Sequence, residues 1–201
     1  MATNNFPPSL VYFDGKQAIQ VKLCPLDRTK GKPIYCSRQG QFFSYCLRRN
    51  PHSYLRKRML REIKPKTNRG QRKAHGPKYP CLGSNYGSPY CHILMALVWS
   101  GLEPGQDSHA GRGQRVNRQS PDRKWVVDHI NGNIYDWRAC NLEWVTVEEN
   151  IRRAKLLRVL RSVGRDPKQM PITELIAIFE KYEFADPATI MEEDMTRHRE
   201  W

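Results

Sequence analysis

The segment from residue 124 to residue 163 constrains the fold more than any other part of this 201-residue chain. Trp125-Val126-Val127 is typical of a short strand, Asn131-Gly132-Asn133 of a turn, and Asn141-Leu142-Glu143-Trp144-Val145 of a returning strand. Thr146-Val147-Glu148-Glu149 has the form of a capping box, in which the Thr hydroxyl and the Glu carboxylate satisfy each other's free N–H groups. The sequence therefore predicts strand, loop, strand and helix in that order.

Four polar side chains in this segment are candidates for chemistry, namely Asp128, His129, Asn141 and Asn150. An antiparallel return brings the start of the helix back over the end of the first strand, so Asp128 and Asn150 can hold one Mg²⁺ or Mn²⁺ ion through oxygen. Neighbours on a strand face opposite sides, which makes His129 a poor co-ligand and a better general base. Asn141, at the start of the second strand, is expected to hold the connecting loop and to help orient His129.

The charge of the chain is strongly asymmetric. The formal net charge is +14, but residues 166–201 carry four basic and nine acidic side chains, a net of −5. Residues 1–165 therefore hold 30 basic and 11 acidic side chains, a net of +19. A positive body of this size is typical of a protein that binds a polyanion. The absence of a long apolar run or basic amphipathic N-terminus in the sequence argues against a membrane, which leaves nucleic acid as the expected partner.

The most basic stretch is expected to contact a phosphate backbone. Residues 47–78 contain twelve Lys or Arg and a single acid, interrupted by Pro and Gly. Within it, Tyr54 to Ile63 is compatible with a short basic helix, and the remainder is typical of a solvated loop. A second loop, 101–123, is also rich in Gly and Arg. The predicted DNA-contacting residues are Arg56, Lys57, Arg58, Arg61, Arg69, Arg72, Lys73, Arg152 and Arg153.

The remaining segments indicate a mixed architecture. Two hairpins are predicted at 10–23 and 34–45, where apolar residues alternate around turn signals. The apolar run 89–100 is too long for a typical strand and predicts a buried helix. His92 on that helix is expected to be a packed, hydrogen-bonded histidine. A further helix is predicted to begin at Pro171 and to form a helical hairpin with the preceding one.

The six cysteines give no sign of a metal site. No C-x-x-C pair is present, and no cysteine stands beside a histidine at zinc-finger spacing. Reduced structural thiols are therefore expected. Met1 to Pro8 is short, polar and uncharged and lacks signal-peptide features, so the chain is expected to stay in the compartment where it is made.

These motifs carry a family resemblance. Val-Asp-His-Ile-Asn-Gly-Asn at 127–133, Cys-Asn-Leu-Glu-Trp-Val-Thr at 140–146 and Glu-Glu-Asn at 148–150 together resemble the HNH endonucleases, which have the ββα-metal fold. The chain is most similar to the phage and intron-encoded homing type, whose third signature residue is Asn. The resemblance implies Asp128 and Asn150 as ligands of one divalent ion, His129 as the general base and Asn141 as the central structural residue.

The resemblance extends upstream and has two departures. Residues 35–44 resemble the hairpin that often precedes the motif, and 92–94 resemble the start of its usual His-Arg-Leu helix. Trp137 stands where the family usually has Asn, and the loop 101–123 is longer than usual.

An α+β chain with four parts is therefore expected. These are a small N-terminal β-hairpin unit (1–47), a basic, loop-rich DNA-contacting segment (48–88), an HNH nuclease domain (89–163, with the ββα-metal core at 124–163) and an acidic C-terminal helical tail (164–201).

The leading functional hypothesis is a metal-dependent DNA endonuclease of the nicking homing or phage type. Its expected substrate is double-stranded DNA, and its expected location is the cytoplasm of a bacterial or phage-infected host cell. A monomer is favoured, and the acidic tail is a candidate surface for a protein partner. One alternative is a non-catalytic nucleic-acid-binding protein on an HNH scaffold. In another, the polar residues are turn and cap residues of an unrelated fold.

Overall fold

The computed structural model describes residues 6–13, 15–48, 57–66, 79–100 and 125–183, without the side chains of 27, 45–48 and 57–59. Both strands and helices are present, which confirms the predicted α+β class. The elements of the N-terminal half are β1 (Ser9–Phe13), β2 (Ala18–Leu23), β3 (Ile34–Ser37), β4 (Phe42–Arg48), β5 (Lys57–Ile63) and α1 (Cys91–Trp99). The elements of the C-terminal half are β6 (Trp125–His129), β7 (Leu142–Thr146), α2 (Val147–Ser162) and α3 (Ile172–Lys181).

The first five strands form one antiparallel sheet in the order of the chain. Its first four strands are the two predicted hairpins, which are thereby confirmed. The prediction of a basic helix near Tyr54 to Ile63 is wrong, because β5 pairs with β4 from Phe42↔Ile63 to Arg48↔Lys57. A free strand edge offers a partner for every second backbone group, and this pairing outweighs the local preference of a Lys- and Arg-rich segment for helix.

Strand β3 has buried residues on both faces of the sheet. Along β3, Ile34 and Cys36 belong to one apolar cluster, whereas Tyr35 between them belongs to another. The first cluster lies under α1 and includes Leu94 and Met95 of that helix. Burial on both faces explains why consecutive residues of β3 are apolar instead of alternating with polar ones.

Helix α1 links this sheet to the C-terminal half of the chain. Its cluster also contains Leu142 at the start of β7, and Val127 of β6 packs against it. Contacts of α1 with both strands place β6 and β7 beside the N-terminal sheet. The predicted helix at 89–100 is therefore confirmed, and it forms one wall of the region that contains the candidate residues.

The predicted strand, loop, strand and helix at 124–163 are confirmed. Strands β6 and β7 are antiparallel, with Asp128 opposite Glu143 and His129 opposite Leu142. Helix α2 follows β7 directly and begins at a cap, where the Thr146 hydroxyl accepts a hydrogen bond from the Glu149 N–H at 3.1 Å. The second half of the predicted capping box does not form, because the carboxylate of Glu149 instead accepts from arginines of the same helix.

Helices α2 and α3 form the predicted hairpin and share a separate apolar core. Leu156, Leu157 and Leu160 of α2 pack with Leu175, Ile178 and Phe179 of α3. Ile130, one residue after β6, belongs to the same cluster. The hairpin therefore supports the end of β6 from the side opposite α1. Predictions for the loop 101–123 and for the tail beyond residue 183 lie outside the described residues.

Candidate functional site

Asp128 and His129 are the last two residues of β6 and face opposite sides, as the alternation of a strand predicts. The Asp128 carboxylate faces α2, where its Oδ2 lies 3.7 Å from Nη1 of Arg153. The His129 ring faces α1, where its centroid lies 5.0 Å from that of His92. One strand end therefore presents an acid to one helix and an imidazole to another.

The Asp128 carboxylate is buried with little compensation. Its side chain is 12% exposed, and its Oδ2 atom has no hydrogen-bond partner among the described residues. Burial raises the pKa of Asp128 to about 6, although the Arg153 guanidinium and the His129 backbone N–H act in the opposite direction. A buried acceptor oxygen with an elevated pKa is an environment that a bound cation would stabilise.

Asn150 lies on the first turns of α2, which follows β7 directly. Asn150 and Arg153 are three residues apart and are therefore neighbours on one helix surface. Arg153 reaches Asp128, with its Nη1 atom 3.7 Å from Oδ2. The approach of the Asn150 side chain to the same carboxylate remains a prediction.

Arg153 and Arg152 are held within the chain. Arg153 donates to the carboxylates of Glu143 and Glu149 at 2.6 Å each, and its guanidinium lies 4.8 Å from the Phe179 ring. Arg152 pairs with Glu149 through two hydrogen bonds of 2.6 Å and also donates to the carbonyl groups of Phe179 in α3 and of Tyr182 just after it. Contact of either arginine with DNA remains a prediction, and it would require their guanidinium groups to share or exchange these partners.

His129 is placed as a neutral imidazole. Its side chain is buried, and Nε2 has no hydrogen-bond partner among the described residues. Burial lowers the pKa of His129 to about 4, with the carboxylate of Asp136 acting in the opposite direction. At neutral pH the ring therefore has an unprotonated nitrogen that can accept a proton.

Asn141 holds the loop between β6 and β7, as predicted. Its Oδ1 accepts from the Asn131 N–H at 3.0 Å, and its Nδ2 donates to Oδ1 of Asn131 at 3.0 Å and to the Asp136 carbonyl at 2.8 Å. Its own carbonyl accepts from the N–H of Ile130, the residue after His129. Asn141 is fully buried, so these bonds fix the backbone that immediately follows the imidazole. Its effect on the orientation of the ring itself stays a prediction.

Trp137 gives the interstrand loop a further anchor that the sequence did not predict. Its Nε1 donates to the Gly40 carbonyl at 2.7 Å, and the Ala139 N–H donates to the Arg38 carbonyl at 3.0 Å. Gly40 has φ 86°, and a Cβ there would lie 2.8 Å from the indole ring. The departure from the usual Asn therefore joins the β3–β4 turn to the loop of the candidate site.

His92 was expected to be packed and hydrogen-bonded, and the packing is confirmed. The side chain is buried, but Nδ1 has no hydrogen-bond partner among the described residues. Its ring contacts are aromatic, with Tyr79 at 4.6 Å and His129 at 5.0 Å between centroids. No spacing in the sequence connects positions 79, 92 and 129, so only the packing of α1 against β6 reveals this group.

The predicted DNA-contacting residues are only partly described. Arg61 is exposed on β5, and Lys57 and Arg58 lie on the same strand with side chains outside the description. Arg56, Arg69, Arg72 and Lys73 lie outside the described residues. Their contact with DNA therefore remains a prediction.

The described residues contain no closed metal site, since no group of three or more His, Cys, Asp or Glu side chains among them is arranged to hold a metal. The buried Oδ2 atom of Asp128 is the kind of oxygen that suits Mg²⁺, which retains waters and takes substrate oxygens. Binding of an ion there remains a prediction. The five described cysteines are free thiols, as expected.

Comparisons with known proteins agree on this segment. Residues 116–152 match the family model described as HNH endonuclease. Over 39 residues, 19% of the chain, the sequence is 54% identical to an uncharacterized HNH endonuclease of Acanthamoeba polyphaga mimivirus. The match covers 10% of that viral protein. No solved structure matches the chain.

The region similar to HNH endonucleases contains all four candidate residues: Asp128, His129, Asn141 and Asn150. The comparisons therefore support the HNH family and a nuclease activity for this segment. Among the described residues, none of the helices has both the length and the apolar character needed to cross a bilayer.

Proposed function

We propose that this protein is a metal-dependent DNA endonuclease of the HNH type that hydrolyses phosphodiester bonds. The observation that carries the proposal is the arrangement at the end of β6. There, Asp128 and His129 face opposite sides, and each has a buried polar atom without a hydrogen-bond partner among the described residues. This arrangement lies within the segment similar to HNH endonucleases.

In this proposal Asp128 and Asn150 hold one Mg²⁺ or Mn²⁺ ion. Support comes from the buried Oδ2 atom of Asp128 and from Arg153, three residues after Asn150 on α2, which approaches the same oxygen. When bound, the ion would stabilise negative charge on the phosphate and on the leaving oxygen. Glu143 and Glu149 hold Arg153 away from a closer pairing with Asp128, since its shorter contacts are to them.

His129 acts as the general base. Its neutral ring takes a proton from water as the water oxygen forms a bond to phosphorus and the bond to the leaving oxygen breaks. Burial keeps the pKa of His129 low, at about 4. The ring therefore remains in the proton-accepting form across the neutral range. Asn141 supports this step by fixing the loop that follows His129.

Binding of double-stranded DNA would rest on the basic body of the chain. Residues 1–165 have a net charge of +19 and include Arg61 on the exposed edge strand β5. Contacts of this kind are to phosphate and position the duplex without reading its sequence. The homing or phage type, with nicking of one strand, is proposed on the resemblance of Asn150 to the third signature residue.

A plasmid assay with the purified full chain tests the proposal. Supercoiled DNA should be nicked with Mg²⁺ or Mn²⁺, not with EDTA, and His129→Ala should lower the rate by about 10²–10⁴-fold. A matched control is Tyr135→Phe, which alters an exposed residue of the loop between β6 and β7. A His129→Ala variant as active as the wild type would contradict the role of the base.

One observation favours a second candidate, a non-catalytic nucleic-acid-binding protein on the same scaffold. Arg153 lies 3.7 Å from Asp128, and a guanidinium can partly neutralise a buried carboxylate in place of a metal ion. Such a protein would retard DNA in a gel but leave it uncut with every divalent ion. The plasmid assay therefore separates the two functions.

A further inference from the structure

Two buried histidine rings lie against each other on the α1 side of β6. The rings of His92 and His129 have centroids 5.0 Å apart and planes inclined by 52°. The exposed fractions of the two residues are 7% and 5%. Tyr79 adds a third ring, with centroids 4.6 Å from His92 and 6.0 Å from His129. Side chains with polar nitrogens are therefore enclosed by aromatic surface.

Each of the two imidazoles has a nitrogen without a hydrogen-bond partner among the described residues. These atoms are Nδ1 of His92 and Nε2 of His129, and both are inaccessible to solvent. Buried polar atoms in proteins are generally bound to protein groups, to ordered water or to a ligand.

The position of His92 on α1 differs from that of its neighbours. Cys91 and Leu94 are fully buried in the apolar cluster beneath the N-terminal sheet. The ring of His92 instead contacts Tyr79, Tyr90 and His129. The helix thus turns one polar side chain toward β6 while its apolar side chains fill the core.

We propose that His92 is a positioning residue that holds, together with His129, the water that attacks the phosphodiester. This inference rests on the proposed function, because it takes His129 as the base. Nδ1–H of His92 donates to the water oxygen, and the water donates one proton to Nε2 of His129. As the oxygen–phosphorus bond forms and the bond to the leaving oxygen breaks, that proton moves to Nε2. The leaving oxygen takes a proton from solvent, and His92 keeps its own.

The electrostatics of the pair agree with this arrangement. Burial and, to a smaller extent, the neighbouring His129 together lower the pKa of His92 to about 3. His92 is therefore neutral at pH 7 and carries one N–H and one acceptor nitrogen. A neutral donor can orient the water without competing for the proton that His129 receives.

Substitutions at His92 test the inference in steady-state nicking with Mg²⁺. Asn places an amide near the position of Nδ1, Gln places it nearer to Nε2, and Phe removes both nitrogens. His92→Phe should lower kcat by about 10²-fold with KM for DNA unchanged, as expected for a misplaced reactant. His92→Asn should stay within about tenfold of the wild type and exceed His92→Gln by about tenfold.

Cys91→Ala is the matched control, since it perturbs the adjacent buried position without touching His129. Unfolding temperatures of all variants show whether a loss of rate follows a loss of stability. If His92→Phe does not fold, the comparison of His92→Asn with His92→Gln decides, and equal rates for the two overturn the inference. A wild-type protein that cuts no DNA overturns the proposed function as well, whereas His92 variants as fast as Cys91→Ala overturn only the role of His92.

Discussion

The two sides of the end of β6 are chemically opposite, although they belong to adjacent residues. On the α2 side, Asp128 lies among charges, with Arg153 beside it and Glu143 across the strand pair. On the α1 side, His129 lies among the rings of His92 and Tyr79. Burial acts on both groups against their charged form, so it raises the pKa of Asp128 to about 6 and lowers that of His129 to about 4.

The comparison shows how a single physical cause prepares two different roles. A buried carboxylate that is poorly compensated gains most from a cation, whereas a buried neutral imidazole gains most from a polar partner such as water. Strand alternation keeps the two groups on opposite faces of β6, so the cation and the proton acceptor do not compete.

The largest effect on nicking is expected for substitution of Asp128, on the α2 side of β6. Asp128→Asn should lower nicking by about 10⁴-fold, because loss of the ion removes several kcal/mol of charge stabilisation and about 1.4 kcal/mol corresponds to tenfold. Mn²⁺ binding, measured by calorimetry, should be lost in parallel. Glu148→Gln, which neutralises an exposed acid in the first turn of α2, is the control and should keep Mn²⁺ binding. Undiminished Mn²⁺ affinity in Asp128→Asn would remove Asp128 from the ion site.

The same substitution should stabilise the metal-free protein at pH 7. The folded pKa of Asp128 is about 6 and its ordinary value is 3.8, so the ionised carboxylate opposes folding above pH 6. Asp128→Asn should therefore raise the free energy of unfolding by about 3 kcal/mol at pH 7. The gain should shrink as the pH falls through 6 toward 4, because wild-type Asp128 then becomes neutral. Urea denaturation at several pH values measures it, and a variant less stable than wild type at pH 7 contradicts the prediction.

The neutral side should show the opposite dependence on pH. His129 is neutral at pH 7, but an unfolded histidine binds a proton below about pH 6.5, whereas the folded one does so only near pH 4. Wild type therefore loses stability on acidification, and His129→Gln should not share that part of the loss. Between pH 7 and pH 5, the variant should gain about 2 kcal/mol relative to wild type. A difference that does not change with pH would show that His129 is not shielded as the structure indicates.

The smallest effect is expected at Trp137, which anchors the loop between β6 and β7. Trp137→Phe removes the indole N–H that donates to the Gly40 carbonyl and should cost about 1 kcal/mol of unfolding free energy. Thermal unfolding should show a lower midpoint, and nicking should fall by less than tenfold. A larger loss of activity than of stability would mean that the β3–β4 turn positions the site as well as supporting it.

Local sequence patterns predicted most of the secondary structure. The turn at Asn131-Gly132-Asn133, the cap at Thr146 and the apolar run before Gly101 act over a few residues, so their signals are visible without the fold. Strand β5 was missed for the opposite reason. Its residues have no strong strand pattern, and its conformation depends on pairing with β4, which lies earlier in the chain.

The capping box illustrates the same limit within one motif. The Thr146 hydroxyl meets the Glu149 N–H as predicted, because both belong to one turn. The Glu149 carboxylate is drawn instead to Arg152 and Arg153, whose guanidinium groups are held in place by α3 and β7. A charged partner three or four residues away outcompetes a backbone N–H.

The sequence by itself determined the strand, loop, strand and helix, the four polar positions on it and the placement of Asp128 and His129 on opposite faces. These depend on periodicity and on turn and cap chemistry, which are local. Only the tertiary structure decided that His92 and Tyr79 enclose His129, that Arg153 approaches Asp128, and that Trp137 binds the β3–β4 turn. Those contacts join residues up to 97 positions apart, and packing of buried surfaces sets them without leaving any local pattern in the chain.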